Sequence, residues 1–213
     1  MRHLRLPAAA ALMLSAVATP AFGGTVGFSC ITNNVVSDCT IGAAQLSLDV
    51  VSEGSGQVRL TFSNAGPQDA VISEIYIDDE GRLFTGIASI VNGTGVLFEP
   101  GASPPKLPGR QLASPDFEVT ADLLAQAVPA PPKNGVGEGE SVSIIFNLRA
   151  GTSFSDVLTR FGDGTLRAGL HVIAFASGGS ESFVSEPVPE PSAALLVLAG
   201  LAGVALRRPG RSR

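Results

Sequence analysis

Residues 45–64, QLSLDVVSEGSGQVRLTFSN, decide the fold. Leu46, Leu48 and Val50 fall on one side of the first half, and Val58, Leu60 and Phe62 on one side of the second. Successive side chains of a strand point to opposite faces, so each half reads as a strand with one face toward a core. Gly54-Ser55-Gly56 between them supplies the turn of a hairpin.

The period-two pattern continues downstream. AVISEIYID places Val71, Ile75 and Ile77 inward, and RLFTGIASI and GVLFE follow as further strands. SVSIIFNL sets Val142, Ile144, Phe146 and Leu148 on one face. TLRAGLHVIAFA does the same with Leu166, Ala168, Leu170, Val172 and Ala174, and SESFVS makes a last strand. Short strands punctuated by Gly, Asn and Pro predict an all-β fold, an antiparallel β-sandwich or jelly roll. The crossover helices that a parallel sheet requires are missing.

One short helix is expected in TSFSDVLTRFGDG. Phe154, Val157, Leu158 and Phe161 recur at helical spacing, Ser153 and Asp156 form a cap pair, and Gly162 is the stop. A weaker helical turn is expected over ADLLAQAV, residues 121–128. Between Pro100 and Pro132 lie 8 of the 15 prolines, which reads as a long surface excursion, since strands continue on both sides.

The two ends of the chain carry a different kind of signal. Arg2 and Arg5 precede an apolar run from Leu6 to Val17, and Pro20, Ala21 and Gly23 follow. This is the charged, apolar, small-residue order of a secretory signal peptide, assigned to residues 1–23. At the other end, Ala193 to Leu206 is a run of 14 residues built of Ala, Leu, Val and Gly alone, followed by Arg207, Arg208, Arg211 and Arg213. As a single transmembrane helix it reaches roughly 21 Å against a hydrocarbon core of ~30 Å. Snorkelling arginines and local thinning make up part of the difference, and the arginines stay on the cytoplasmic side.

Pro189-Glu190-Pro191, the apolar run and the terminal arginines together resemble the PEP-CTERM sorting signal of Gram-negative bacteria, here spanning 188–213. The resemblance implies that a membrane transpeptidase-like enzyme, exosortase, recognises the tail at the PEP motif and removes it. The helix would hold the precursor in the inner membrane, the arginines would stop translocation, and the rest would reach the cell surface or the extracellular matrix. Within 24–187, FSCITNN, CTIGAAQLSLDV, the GPxxAxIxxIYIDD pattern of 66–79 and LRAGLHVIAFASGGSESFV are similar to a recurrent type of PEP-CTERM ectodomain that carries no assigned activity.

Composition narrows the function classes. Between residues 24 and 188 there are 8 lysines and arginines against 18 aspartates and glutamates, a net charge of −10. Such a surface repels nucleic acid and anionic lipid. With no Trp and one Tyr, the aromatic platform of many sugar-binding surfaces is scarce. Cys30 and Cys39, the two cysteines, read as a disulfide formed in an oxidising compartment.

No catalytic residue is assigned. His171 is the single histidine of the exported part, and it alternates away from the apparent core face. The motifs G-x-S-x-G and H-E-x-x-H and a phosphate loop are lacking. Asp78, Asp79 and Glu80 crowd at a strand end and are the weak candidates for a Ca²⁺ site. Two readings follow. The first is a non-enzymatic surface or matrix protein, associated with exopolysaccharide and cut by exosortase. The second is a secreted carbohydrate-binding or carbohydrate-active module, calcium-assisted or using two carboxylates.

Overall fold

The computed structural model describes residues 24–54, 56–80, 82–129 and 133–187. In chain order these form β1 (Thr25–Val26), β2 (Phe28–Cys30), α1 (Val36–Gln45), β3 (Leu46–Gly54), β4 (Gln57–Asn64), β5 (Val71–Asp79) and β6 (Phe84–Asn92). Then follow β7 (Phe98–Pro100), β8 (Leu124–Ala127), β9 (Glu140–Leu148), α2 (Phe154–Asp163), β10 (Leu166–Ile173) and β11 (Glu181–Ser185). The strands make two antiparallel sheets, one ordered β1-β3-β4-β9-β6 and the other β2-β11-β10-β5-β8-β7.

The hairpin of 45–64 is β3 and β4, with Leu48 opposite Phe62 and Val50 opposite Leu60. Gly54 and Gly56 at its turn both take left-handed backbone, which a side chain resists. On the far side of β4, Phe62 faces Val142, Leu60 faces Ile144 and Val58 faces Phe146. These residues share one core with Ile72, Ile75, Ile77, Ala168, Leu170, Val172 and Phe183 of the second sheet. The first sheet thus has one buried face, as the alternation predicts.

The second sheet is covered on both faces. Ile75 and Ile77 of β5 enter the common core, whereas Tyr76 between them joins a second cluster with Leu107, Phe117 and Val184. The proline-rich excursion is therefore a lid on the outer face of this sheet. Gly169 of β10 makes room for it: a Cβ there would lie 2.9 Å from both Leu107 Cδ2 and Phe117 Cζ. The Tyr76 hydroxyl donates to the Pro104 carbonyl at 3.0 Å, and burial pushes its pKa up.

Several sequence expectations need correction. There are two α-helices among the described residues, not one, besides a 3₁₀ turn at Arg110–Leu112: α1 lacks a side-chain cap and contains Gly42, so local pattern conceals it. In α2 the Ser153–Asp156 capping box is present, but the helix passes Gly162 and stops at Gly164, whose φ is +76°. The segment 121–128 holds the strand β8, not a helical turn, because pairing with β5 and β7 overrides its Ala/Leu composition. Ile72, not Val71, occupies the core, since a register shift opposite His171 and Val172 inserts Ser73 and changes the phase of β5. Ala174 leaves the face assigned to it, as β10 ends at Ile173 and Ala174 takes a φ of +57°.

Among the described residues no helix is long and apolar enough to cross a membrane. The signal peptide of 1–23 and the segment 188–213, with Pro189, Glu190, Pro191, Ala193 to Leu206 and the four arginines, lie outside the described residues.

Candidate functional site

The chain passes from the second sheet to the first between β5 and β6, and a cleft of about 830 Å³ opens at that corner. Its floor is the corner itself, Asp78, Asp79, Glu80, Arg82, Phe84 and Thr85; the 115–123 segment forms one wall, and Arg149 and Arg167 close it from the ends of β9 and β10. Asp78, Asp79 and Glu80 all line this cleft, yet they do not converge on one point. Neighbours on a strand point to opposite faces, and the acidic run is split by that rule.

Asp78 faces outward, cross-strand from Arg167. Its Oδ2 accepts from Arg167 Nη2 at 2.5 Å and from the Glu118 backbone N–H at 3.0 Å. Burial pushes the Asp78 carboxyl above the ordinary range, against the lowering by the Glu118 N–H and the Arg167 guanidinium. Arg167 also donates to the carbonyls of Pro115 at 2.7 Å and Asp116 at 2.6 Å, and stacks 5.3 Å from the Phe117 ring centroid. The pair is a staple between the lid and the sheet.

Asp79 has another task. Its two oxygens accept the backbone N–H groups of Leu83 and Phe84, each at 2.8 Å, while its carbonyl accepts from Arg82 N at 3.0 Å. This folds the corner tightly and holds Arg82 at a φ of +48°. A left-handed backbone costs a non-glycine residue about 1–2 kcal/mol. Across the cleft Asp122 is held at +66°. Arg149 Nε donates to the Arg82 carbonyl at 2.7 Å and Arg149 N to the Leu83 carbonyl at 2.7 Å, so Arg149 is fixed against the backbone of the corner that carries Arg82.

Asp78 and Asp79 are thus spent on the fold. The groups facing solvent in the cleft are the Arg82 and Arg149 guanidiniums and the carboxylates of Glu80, Asp116 and Asp122. The cleft lining holds neither histidine nor cysteine. Such a set can bind charged and hydroxylic groups.

The other candidate residues lie elsewhere. His171 is on the outward face of β10, where its Nδ1 lies 2.7 Å from Glu74 Oε2. Ser73 Oγ lies 3.4 Å from the same nitrogen and donates to the Glu74 carboxylate, so hydroxyl and acid share one side of the ring. A serine relay needs them on opposite nitrogens.

Cys30 and Cys39 form the expected disulfide, with Cα atoms 5.3 Å apart, tying β2 to α1. Glu181 of β11 lies beside it, and the three residues are the one convergent group of metal-ligating type among the described residues. The sulfurs are bonded to each other, and Glu181 accepts from Thr32 Oγ1, Asn34 N and Val35 N. Its carboxylate caps the start of α1 from 146 residues away, a role that no local pattern announces.

No protein-family model, curated protein or solved structure matches this chain.

Proposed function

We propose that the chain is a non-enzymatic, exported protein of the cell surface or extracellular matrix, cut at Pro189-Glu190-Pro191 by an exosortase-type enzyme. The observation that carries this reading is the order of three parts at one terminus, motif, apolar run and arginines, opposite a signal-peptide pattern at the other. The precursor is held in the inner membrane by Ala193 to Leu206 with Arg207, Arg208, Arg211 and Arg213 on the cytoplasmic side. Removal of the tail then frees residues 24–187, a β-sandwich ectodomain, to join exopolysaccharide or other matrix material.

Two features of the fold support the reading. The Cys30–Cys39 disulfide suits an oxidising compartment. The Glu186 N–H bonds the Gly27 carbonyl at 3.0 Å, and the Ser29 hydroxyl donates to the Glu186 carboxylate, so both flanks of the fold depart from the same place. A membrane-held precursor is thereby tethered at a single pole.

Intact mass of the protein from its native host tests the proposal, with the wild type beside a variant carrying alanine at 189, 190 and 191. The wild type is expected to have lost the residues after the motif, and the variant to keep them in the membrane fraction. Retention of Arg213 in both would reduce the tail to a plain membrane anchor.

A further inference from the structure

We propose that the cleft at the β5–β6 corner binds a carboxylated saccharide, with Arg82 and Arg149 holding the sugar carboxylate and Asp116 and Asp122 accepting its hydroxyls. The site would serve the ectodomain whether or not the tail is cut.

Charge accounting points to the arginines first. In a region with 18 acidic side chains to 8 basic ones, a guanidinium readily finds a carboxylate. Arg59, Arg110 and Arg167 do so, with Glu53, Glu118 and Asp78. Arg82, Arg149 and Arg160 form no ion pair among the described residues; Arg160 bonds the Thr165 hydroxyl at 3.2 Å, whereas Arg82 and Arg149 both line the cleft beside acidic groups. Arg149 spends its Nε on the Arg82 carbonyl, which leaves its two terminal nitrogens directed to other partners. A planar fork of this kind matches a carboxylate held by two hydrogen bonds.

Backbone strain points to the same place. Four non-glycine residues have positive φ among the described residues, Asn33, Arg82, Asp122 and Ala174, and two of them face each other across this cleft. Asn tolerates that conformation and Ala174 ends a strand, but arginine at a tight corner has no backbone reason to be there. Outliers of this kind cluster where a side chain must be aimed. Here one aims a cation and the other an anion into the same space.

The two banks then define the ligand. A simple anion would offer no donors to Glu80, Asp116 and Asp122, and a neutral sugar would leave the arginines unused. A uronic acid satisfies both, since its hydroxyls donate to carboxylates and its carboxylate accepts from guanidiniums. The volume of about 830 Å³ lies within the range of ligand clefts and admits a short oligosaccharide. Phe84, the aromatic residue of the lining, is buried and stacked on Phe146 with ring centroids 4.8 Å apart, so it offers no sugar platform. Recognition is therefore polar and sensitive to salt.

Titration calorimetry on the full chain in detergent tests the site with an aldobiouronic acid, a disaccharide carrying one carboxylate, and with a neutral disaccharide and inorganic phosphate. The aldobiouronic acid is expected to bind, and to bind more weakly as salt rises, while the neutral sugar and phosphate do not. Arg82→Gln and Arg149→Gln are each expected to weaken binding roughly tenfold or more, the loss that follows removal of one charged hydrogen bond. Arg82→Gly is expected to abolish binding while leaving the unfolding midpoint at or above that of the wild type, because glycine accepts the corner's backbone. Equal binding of the neutral sugar or of phosphate, no binding of the aldobiouronic acid, or a fall in midpoint with Arg82→Gly would overturn the proposal.

Discussion

Arg167→Met is expected to lower stability by about 3–5 kcal/mol, because it leaves the Asp78 carboxylate buried without its counter-charge. The side chains of Arg167 and Asp78 are only 11% and 8% exposed, so water cannot replace the guanidinium. The carbonyls of Pro115 and Asp116 also lose a donor, but these bonds lie at the surface, where water takes over. Nearly all of the loss is therefore the stranded charge. The double variant Asp78→Asn with Arg167→Met removes it and is expected to recover most of the difference, since a neutral pair carries no desolvation penalty of that size. Urea unfolding at neutral pH reads both values, and the single change corresponds to a drop in midpoint of roughly 6–20 °C on heating. The sign with pH follows from burial, which already pushes the Asp78 carboxyl up in the wild type. A carboxyl whose pKa is raised by folding favours the folded state at low pH, and that contribution is lost as pH rises through the folded value. Without Arg167 only the Glu118 N–H opposes the upward push, so the gap between single variant and wild type should narrow in acid. A double variant no more stable than the single one, or a gap that ignores pH, would refute the reasoning.

Removing the disulfide with Cys30→Ser and Cys39→Ser should cost about 2.7 kcal/mol, the loop-closure value for a ten-residue loop, measured by urea unfolding; a cost near zero would show that α1 is held by other contacts. Gly169→Val should cost about 1–3 kcal/mol by overpacking and should expose the 101–119 lid to protease, since the new side chain meets Phe117 and Leu107. The Asp156 carboxyl is held below its ordinary range by hydrogen bonds from Ser153, so its contribution is present above the unfolded pKa and lost as pH falls through the folded one. Asp156→Asn should therefore flatten the acid limb of the stability curve, and an unchanged limb would count against the cap.

What could be read from the sequence was what neighbours along the chain determine. The hairpin of 45–64 follows from alternation and two glycines, and α2 from a cap and four apolar residues at helical spacing. The cysteine pair is likewise a short-range matter. Helix α1 could not be read, because Val35 offers no capping side chain and the carboxylate that replaces it belongs to Glu181, on the last strand. The strand β8 was hidden by residues that favour helices and that yield to pairing on both sides. The cleft illustrates the same limit: Asp78, Asp79 and Glu80 were visible as an acidic run, but their separate tasks are set by Arg167, Glu118 and the β5–β6 corner. Arg82 and Arg149 stand 67 positions apart, and only the folded chain makes them neighbours.

The place of β11 has a consequence for the timing of assembly. It fits between β2 and β10, and β2 has no other strand partner in its sheet. Cys30 meets Phe183 in that pairing, so one of the first segments of the described chain must wait for one of the last. Loop-closure entropy makes such distant pairing slow, whereas the Cys30–Cys39 bridge, nine positions apart, can close at once. Strand β2 is thus tied to the chain that forms α1 well before the last strand arrives to pair with it.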